Sequence, residues 1–475
     1  MEPIELKQTK QLMLDAYLFD AMGEAAFVVH SWEKEDGPVF VKEQAWEGVG
    51  PYAYNLVTFD SADSTYKMWY ATYDPESRRY PTGYAESSDG LAWKRRPEMI
   101  PAGPGRVVVD PRANKGDYRF FSIGYHGPEG ELPGRAVFQR TKDGLDWQPF
   151  EGNPWWQGPS DVIDVLWDSQ RECFVSYHKL WRVTGTTVEG EAVKAYFAVF
   201  VQKKDEDNAI LHLSGDELFP DIHAVSYDLV NKSSGKDDGG GAIVTNDIAM
   251  LRVIGRAESK DFIHWTDHEV IVEPLTDDPI DVQYYGMPVV EYEGLYLAFP
   301  RYFEGISGRM DVRFAYSRDG RLFQLTDPKL VLACGEPGSW DGGMVLGTPD
   351  ILEIDGRLCM YYGGMDKDHT QRAGRVEKKA AIGRAWLRKD GFVSLTGGTA
   401  VTKLLLIRGN RLCINAEGTI AIRLLDAAGS VVGTAEWSGD STAAALEWQS
   451  GGIVPEPSRL EFDLSQGRLY ALWSE

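Results

Sequence analysis

Cysteine is scarce in this 475-residue chain, with Cys173, Cys334, Cys359 and Cys413 the whole complement and no Cys-x-x-Cys spacing among them. A disulfide-built scaffold and a thiolate zinc site are therefore excluded, and the four read as buried thiols. Histidine is equally sparse at eight residues, and no His-Glu-x-x-His occurs, so no histidine-built metal centre is expected. A phosphate-cradling Gly-x-x-x-x-Gly-Lys-[Ser/Thr] segment, a dinucleotide fingerprint after a strand and a Gly-x-Ser-x-Gly elbow are all missing. No apolar run approaches the roughly 18 residues of a spanning helix. The opening MEPIELKQTKQLMLDAY has no apolar core between a basic start and a cleavage site, so a cytoplasmic protein, or a secreted one shorn of its leader, is expected. Basic residues are outnumbered, 49 against 72, and the net charge of −23 argues against nucleic-acid and anionic-lipid partners.

What the chain does have is tryptophan, glycine and a repeat. Fifteen Trp and 50 Gly point to a β-rich fold with many tight turns and aromatic surfaces. One phrase, a strand followed by a turn and an aromatic, recurs: GYAESSDGLAW, AVFQRTKDGLDW, GRAESKDFIHW, RFAYSRDGRLF and GRAWLRKDGF. Its turn aspartates are Asp89, Asp143, Asp261, Asp319 and Asp390. Four of the five precede glycine, the pair suited to the positive φ angles of a two-residue hairpin turn. Upstream of each copy lie an apolar strand closing in a turn (YNLVTFD, RVVVDP, VIDVLWD, PVVEYEG, DILEIDG) and an aromatic-rich strand (YKMWYAT, YRFFSIGYH, CFVSYHKLW, LYLAFPRYF, LCMYYGGM). Each unit is thus four antiparallel strands, here called A to D. Five such units predict an all-β chain, a five-bladed β-propeller over residues 47–395 whose radial closure leaves only short edges. The third unit is longer because residues 182–251 read as an insertion between its B and C strands rather than as a sixth blade. After residue 395 the phrase stops. Short strands VTKLLLI, RLCINA, TIAIRLLDA, SRLEFDL and RLYALWS predict a small C-terminal β-sandwich over 396–475, and residues 1–46 an N-terminal wrapping segment.

The register sorts the acidic residues. A strands of a propeller line its axis, so carboxylates just before them converge on an axial pocket, whereas aspartates of the A–B turns lie at the opposite end. Asp110-Pro111 falls in register with Asp60, Asp168 and Asp355 as turn chemistry, and Glu172-Cys173 merely starts a B strand. Catalytic candidates at the axial end are Glu47, Asp161, Asp164, Asp281 and Asp341. Substrate-binding candidates beside them or at the B-strand exits are Trp46, His126, His178, Arg182, Tyr285, Arg301, Glu304 and Trp340. Several carboxylates, cations and aromatics facing one pocket are what glycoside cleavage needs: an acid to protonate the leaving oxygen, a second carboxylate as base or nucleophile, and rings to stack on the sugar. Asp164 or Asp281 with Glu47 or Asp341 is the first choice of pair, and Arg182 and Arg301 are the expected clamps. No cofactor is expected; an axial Ca²⁺ is compatible with the carboxylates, but nothing specifies one.

With its five-unit repeat, acidic residues before the A strands, LMLDAYLFDAM, YKMWYAT…GYAESSDGLAW and IGRAWLRKDGFVSL before a small β-sandwich, the chain resembles the five-bladed-propeller glycoside hydrolases. It is similar above all to a divergent bacterial branch grouped with family 32, whose relatives are families 43, 68, 117 and 130. The resemblance runs from about residue 12 to 475. It implies a glycosidase releasing terminal sugars from oligo- or polysaccharides, commonly furanosides such as fructosyl or arabinosyl units. The Trp-Met-Asn-Asp-Pro-Asn-Gly box that carries the family 32 nucleophile is absent, and Trp46-Glu47 is its nearest positional substitute. Two alternatives stay open: a non-catalytic carbohydrate-binding propeller, and a glycoside phosphorylase with a cationic phosphate subsite at Arg301 and Arg309. Sugar identity, anomeric outcome and oligomeric state are not legible.

Overall fold

The computed structural model describes residues 2–77, 79–101, 103, 105–126, 135–151, 156, 161–186, 196–198, 243–244, 248–279, 281–305, 307–348, 350–369 and 377–475. Among these the chain is nearly all β, with two three-residue 3₁₀ turns and no α-helix. Four consecutive strands form the first sheet, Tyr52–Asp60, Thr65–Ala71, Thr82–Ser87 and Lys94–Arg95, in antiparallel order. The second is Arg106–Val109, Phe120–His126, Arg135–Thr141 and Gln148–Pro149. The third is Ile163–Asp168, Cys173–Thr186, Ile248–Ser259 and Glu269–Val272.

In the fourth group both inner strands are broken, Val282–Tyr284 with Val289–Tyr292 and Leu295–Ala298 with Arg301–Glu304, before Met310–Ser317 and Gln324–Leu332. The breaks fall around Pro288 and Pro300, which cannot donate to a ladder. The fifth group runs Met344–Gly347 with Leu352–Ile354, Arg357–Met365 and Ala380–Arg388. Its outermost strand comes from the N-terminal segment, Glu33–Lys34 pairing with Trp386 and Ala385. One parallel pair, Met310 with Met344, links the fourth and fifth groups. Among the described residues no sheet closes on itself.

Apolar layers join these groups in ring order. Trp69 and Phe120 pack between the first and second, Phe138 and Phe174 between the second and third. Tyr177 and Tyr296 fill the space between the third and fourth, Phe314 and Met360 between the fourth and fifth. Tyr361 and Met68 return from the fifth to the first. Strands packed on both faces lose their two-residue alternation, which is why the first strands read as almost unbroken apolar runs.

Two expectations change. The Asp-Gly turns are not two-residue hairpins: the C strand of the first sheet ends at Ser87 and its D strand starts at Lys94. In the first, second and fourth copies only the glycine takes a positive φ, +73° at Gly90, +84° at Gly144 and +67° at Gly320. Asp89 Oδ1 instead accepts the N–H groups of Leu91 and Ala92, both at 2.8 Å, while Ser87 Oγ accepts Gly90 N–H at 2.9 Å. Asp143 with Thr141, Asp261 with Ser259 and Asp319 with Ser317 form the same kind of turn. The governing signal is therefore Ser/Thr-x-Asp, a side chain capping a wider loop.

The C-terminal strands are also longer than read. RLCINA and TIAIRLLDA lie in one strand, Leu412–Leu425, and SRLEFDL and RLYALWS in another, Arg459–Ser474. Gly418, at φ +85°, faces Gly467 where the two strands bend, so glycines read as turn residues serve a kink. Hydrogen bonds join nine strands here into one sheet, which includes Phe19–Met22 and Ala26–Val29 from the N-terminal segment. In the third sheet Trp181 pairs with Arg252, and the ladder continues to Thr186 with Ile248. Most of the insertion expected at 182–251 lies outside the described residues.

Candidate functional site

Side chains and backbone carbonyls from all five groups meet around Asp164. Asp164, the second residue of its strand, is almost wholly buried and lies between two guanidinium groups. Arg301 Nη1 is 3.3 Å from its Oδ2, Arg106 contacts its Oδ1, and Met287 N–H donates to it at 3.2 Å. Arg106 also donates to the carbonyls of Tyr54 and Asn55. Arg301 reaches the Gly347 carbonyl at 3.4 Å and lies 4.9 Å from the Tyr54 ring. These five positions come from the first, second, third, fourth and fifth groups. The neighbouring Arg301 charge, after burial itself, helps depress the Arg106 pKa.

A second set adjoins the first. Asp161, in the loop before the Ile163–Asp168 strand, keeps 36% of its side chain exposed and accepts from Lys179 Nζ at 2.5 Å. Lys179 is itself buried beneath the Tyr285 ring, its Nζ 4.5 Å from the centroid. Burial, opposed by Asp161 and reinforced by Arg252, pushes the Lys179 ammonium down to about 8. Arg252 donates to Gln283 Oε1 at 2.7 Å and stacks near Phe303 and Tyr285. The Tyr285 hydroxyl meets His369 Nε2 at 2.9 Å. Burial holds His369 far below its ordinary pKa, and Arg252, Lys378 and Lys179 add to the effect against an opposing pull from Asp161. The imidazole is thus neutral near pH 7, a proton acceptor or donor through one nitrogen at a time.

The broken inner strands of the fourth group make this approach feasible. Tyr285 N–H donates to the Arg301 carbonyl and Arg301 N–H to the Gly286 carbonyl, at 2.9 and 2.8 Å, so the two strands remain tied across the break. A Cβ on Gly286 would stand 2.4 Å from Arg301 Nη1 and 3.2 Å from Asp164 Oδ2. Glycine here lets the backbone pass next to the ion pair.

Several other expected site residues are engaged in packing. Glu47 is fully buried and structural: its Oε2 caps the Ala45–Glu47 turn through the N–H groups of Glu43 and Gln44, and its Oε1 accepts from Tyr70 and Arg95. Trp46 stacks on Tyr70 and donates its indole N–H to Pro97. Asp341 is locked by Lys34 at 2.6 Å, Tyr362 at 3.2 Å and Ser339 at 3.0 Å, with Trp340 stacked on Tyr362. His178 is buried within the third sheet, its Nε2 2.7 Å from His268 Nδ1 and its ring edge-on to Trp156. These residues belong to packing, and each is used up by partners distant in sequence. Asp281 is half-buried, its carbonyl accepting Gly305 N–H. Glu304 is half-buried and accepts from Ser307 Oγ at 2.8 Å. His126 and Arg182 hold backbone positions opposite Arg135 and Leu251, and their side chains lie outside the described residues.

The A–B turn aspartates do local work at the opposite end. Asp110 accepts Arg112 N–H and its guanidinium, and Asp168 accepts Arg171 N–H and the Tyr296 hydroxyl. Asp350 is a further carboxyl, pushed up to about 6 by burial; it lies near Thr58, two residues from the turn residue Asp60, and so stands towards that end. Arg309 pairs with Asp311 rather than with Arg301. Among the described residues no group of three His, Cys, Asp or Glu side chains could hold a metal, all four cysteines are free and buried, and no helix is long and apolar enough to cross a membrane. A separate polar cavity of about 410 Å³, lined by Phe40, Glu43, Trp93 and Arg95 among others, opens beside the first group.

Sequence reading missed Lys179, Arg252, Arg106, Tyr54 and His369. Arg106 opens an A strand, so the rule applied there to carboxylates would have found it had it been extended to cations; His369 stands four residues past the Arg357–Met365 strand, beyond the exit positions considered. Lys179 and Arg252 gave no local signal.

No protein-family model matches the sequence, and no curated protein does. Several solved structures are similar in outline. A β-fructofuranosidase of family 32 from Bombyx mori is 11% identical, with 94% of each chain covered and a TM-score of 0.39. A glycosyl hydrolase from Bacteroides ovatus is 11% identical over 76% of this chain and 94% of that one, at a TM-score of 0.42. A family 43 arabinoxylan arabinofuranohydrolase from Bacillus subtilis is 10% identical over 88% of this chain and 96% of that one, at 0.33. At such identities no side chain carries over from these proteins, and the site is read from its own residues.

Proposed function

We propose that the chain is a glycoside hydrolase, with residues 47–395 a five-bladed β-propeller around the site and residues 396–475 a small β-sandwich. The observation that supports this most is the convergence of Tyr54, Arg106, Asp164, Arg301 and the Gly347 carbonyl from five separate strand groups. Beside them lies a half-exposed rim of Asp161, Tyr285 and His369.

In this reading Asp161 and Asp281, in the loops before neighbouring first strands, form the acid and base pair. One protonates the leaving oxygen and the other activates water or attacks the anomeric carbon. Glu47 and Asp341 are spent on structure, so they leave the pair. Asp164, held between two arginines, acts as a positioning residue for Arg301 and Arg106. Tyr285 offers a ring face to the sugar, and its hydroxyl is oriented by His369. The substrate is a terminal sugar of an oligo- or polysaccharide.

The test is turnover on a panel of aryl glycosides and oligosaccharides by wild type, Asp161→Asn, Asp281→Asn and, as a control, Glu353→Gln, an exposed carboxylate paired with Lys389. Loss of about 10²–10⁴-fold in kcat is expected for the first two variants, with circular dichroism unchanged. Undiminished turnover in both would remove the assignment.

A further inference from the structure

The aromatic that closes the repeated phrase behaves differently in the first unit. Trp147 is buried and donates its indole N–H to the carbonyl of Gly144, in its own turn, at 3.0 Å. Trp265 likewise donates to Phe262, in its own turn, at 3.2 Å, and Trp156 stacks on its ring at 4.6 Å. In the first unit a hydroxyl from the fifth group stands between indole and turn. Tyr361 donates to the Gly90 carbonyl and accepts the Trp93 indole N–H at 2.9 Å. Trp93 is left half-buried; it meets Tyr361 edge-on, at 88°, and no ring stacks on it among the described residues.

Trp93 lines the cavity of about 410 Å³ together with Phe40, Glu43 and Arg95, a size suited to a small ligand. Arg95 lies on the fourth strand of the first sheet, three strand spacings, or about 14 Å, from the first strand, which carries Tyr54. The cavity is thus separate from the cluster around Asp164. Its polar groups are held in advance. The Arg95 side chain is only 9% exposed, its guanidinium lies 3.4 Å from the Phe40 ring centroid, and its Nη1 is 3.2 Å from Glu47 Oε1. Its Nη2 stands 3.6 Å from Glu43 Oε1, too far for a direct hydrogen bond, and the Glu43 side chain is 57% exposed.

A donor and an acceptor therefore face one gap beside an indole. A hydroxyl entering that gap accepts from Arg95 and donates to Glu43, while an apolar C–H face rests on Trp93. A sugar ring carries both features on one small frame. An anion would compete with Glu43 and Glu47 for the same guanidinium and gain nothing from the indole. Because Arg95 and Trp93 are already oriented by Glu47, Phe40 and Tyr361, little ordering is left for binding to supply.

We propose that this cavity is a second saccharide site, which holds one sugar unit of a glycan away from the cluster around Asp164. In the proposed hydrolase it anchors a chain and takes no part in cleavage. The choice of a glycan rests in part on that reading, whereas the site itself uses none of Asp161, Tyr285 and His369.

Isothermal calorimetry on the full chain tests it, with xylohexaose, cellohexaose, arabinohexaose and fructohexaose as probes. Every chain titrated also carries Asp161→Asn, so that the probe survives. Adding Trp93→Ala is expected to remove one binding site per chain for the hexaose bound, and adding Glu43→Gln to weaken that site at least threefold, with circular dichroism unchanged. Should the Trp93 variant fold poorly, Glu43→Gln, which alters an exposed carboxylate, decides alone. No binding of any hexaose by the parent chain overturns the proposal, and so does an unchanged isotherm in a folded Trp93→Ala or in Glu43→Gln. A site lost with Trp93, in a protein whose wild type cleaves no glycoside, removes the hydrolase reading and leaves this site standing. Glycoside cleavage by wild type, with hexaose binding untouched by either variant, removes this site alone.

Discussion

Asp161, Glu47 and Asp341 look alike in sequence, acidic residues placed just before a strand that lines the axis. Their environments differ because of partners far along the chain. Glu47 meets Tyr70 and Arg95, and Asp341 meets Lys34 and Tyr362, contacts that no local pattern announces. Asp161 pairs with Lys179 and keeps about a third of its side chain in solvent. The same limit explains His178: expected at a B-strand exit, it lies inside the Cys173–Thr186 strand, with its ring turned towards His268 and Trp156. Gly286 is an exacting position, since a methyl group there would intrude on Arg301 and Asp164. Gly286→Ala is expected to lower activity on any cleaved glycoside at least tenfold in kcat/KM and to reduce the melting temperature. Unchanged kinetics and melting would show that the backbone does not need to pass so close to the ion pair.

At the scale of elements, the repeated turn is the most informative feature. The sequence marks it as Asp-Gly, but its working parts are the hydroxyl two residues before the aspartate and the carboxylate that caps two N–H groups. Hydrogen bonding holds Asp319 below the usual carboxylate range despite partial burial, through Leu322, Arg321 and Ser317. With its folded pKa depressed, this group lends stability above its unfolded pKa and loses it as pH falls through the folded value. Replacing it, Asp319→Ala, is expected to cost about 1–2 kcal/mol at neutral pH and less in acid. Urea denaturation at pH 7 and pH 3 would check this; an equal loss at both would mean that charge plays no part. The fifth copy departs from the pattern: Asp390 takes φ +61° and binds Lys10, Tyr292 and Asn415, joining the N-terminal segment and the C-terminal sheet. That departure was not legible, because those partners lie outside the repeat. Strand existence was legible from apolar runs and turn residues. Strand length was not, where glycines such as Gly418 and Gly467 bend a strand instead of ending it.

At the scale of the molecule, the repeat foretells the order in which groups of strands pack, first to fifth and back to first. It does not foretell that the outermost strand of the fifth group would be supplied by Glu33–Lys34. Ring packing is also what turns a list of separate residues into a site. Tyr54, Arg106, Asp164 and Arg301 are spread over almost 250 positions, on four separate groups of strands, and meet only in the folded chain. Function at this scale comes down to whether a sugar occupies that meeting point. The most direct measurement is a crystal structure with a bound oligosaccharide product. The result expected is a sugar ring against Tyr285, with oxygens within hydrogen-bond reach of Asp161 and His369. A sugar held instead in the cavity beside Phe40, Trp93 and Arg95, with Asp161 and Tyr285 untouched, would contradict it.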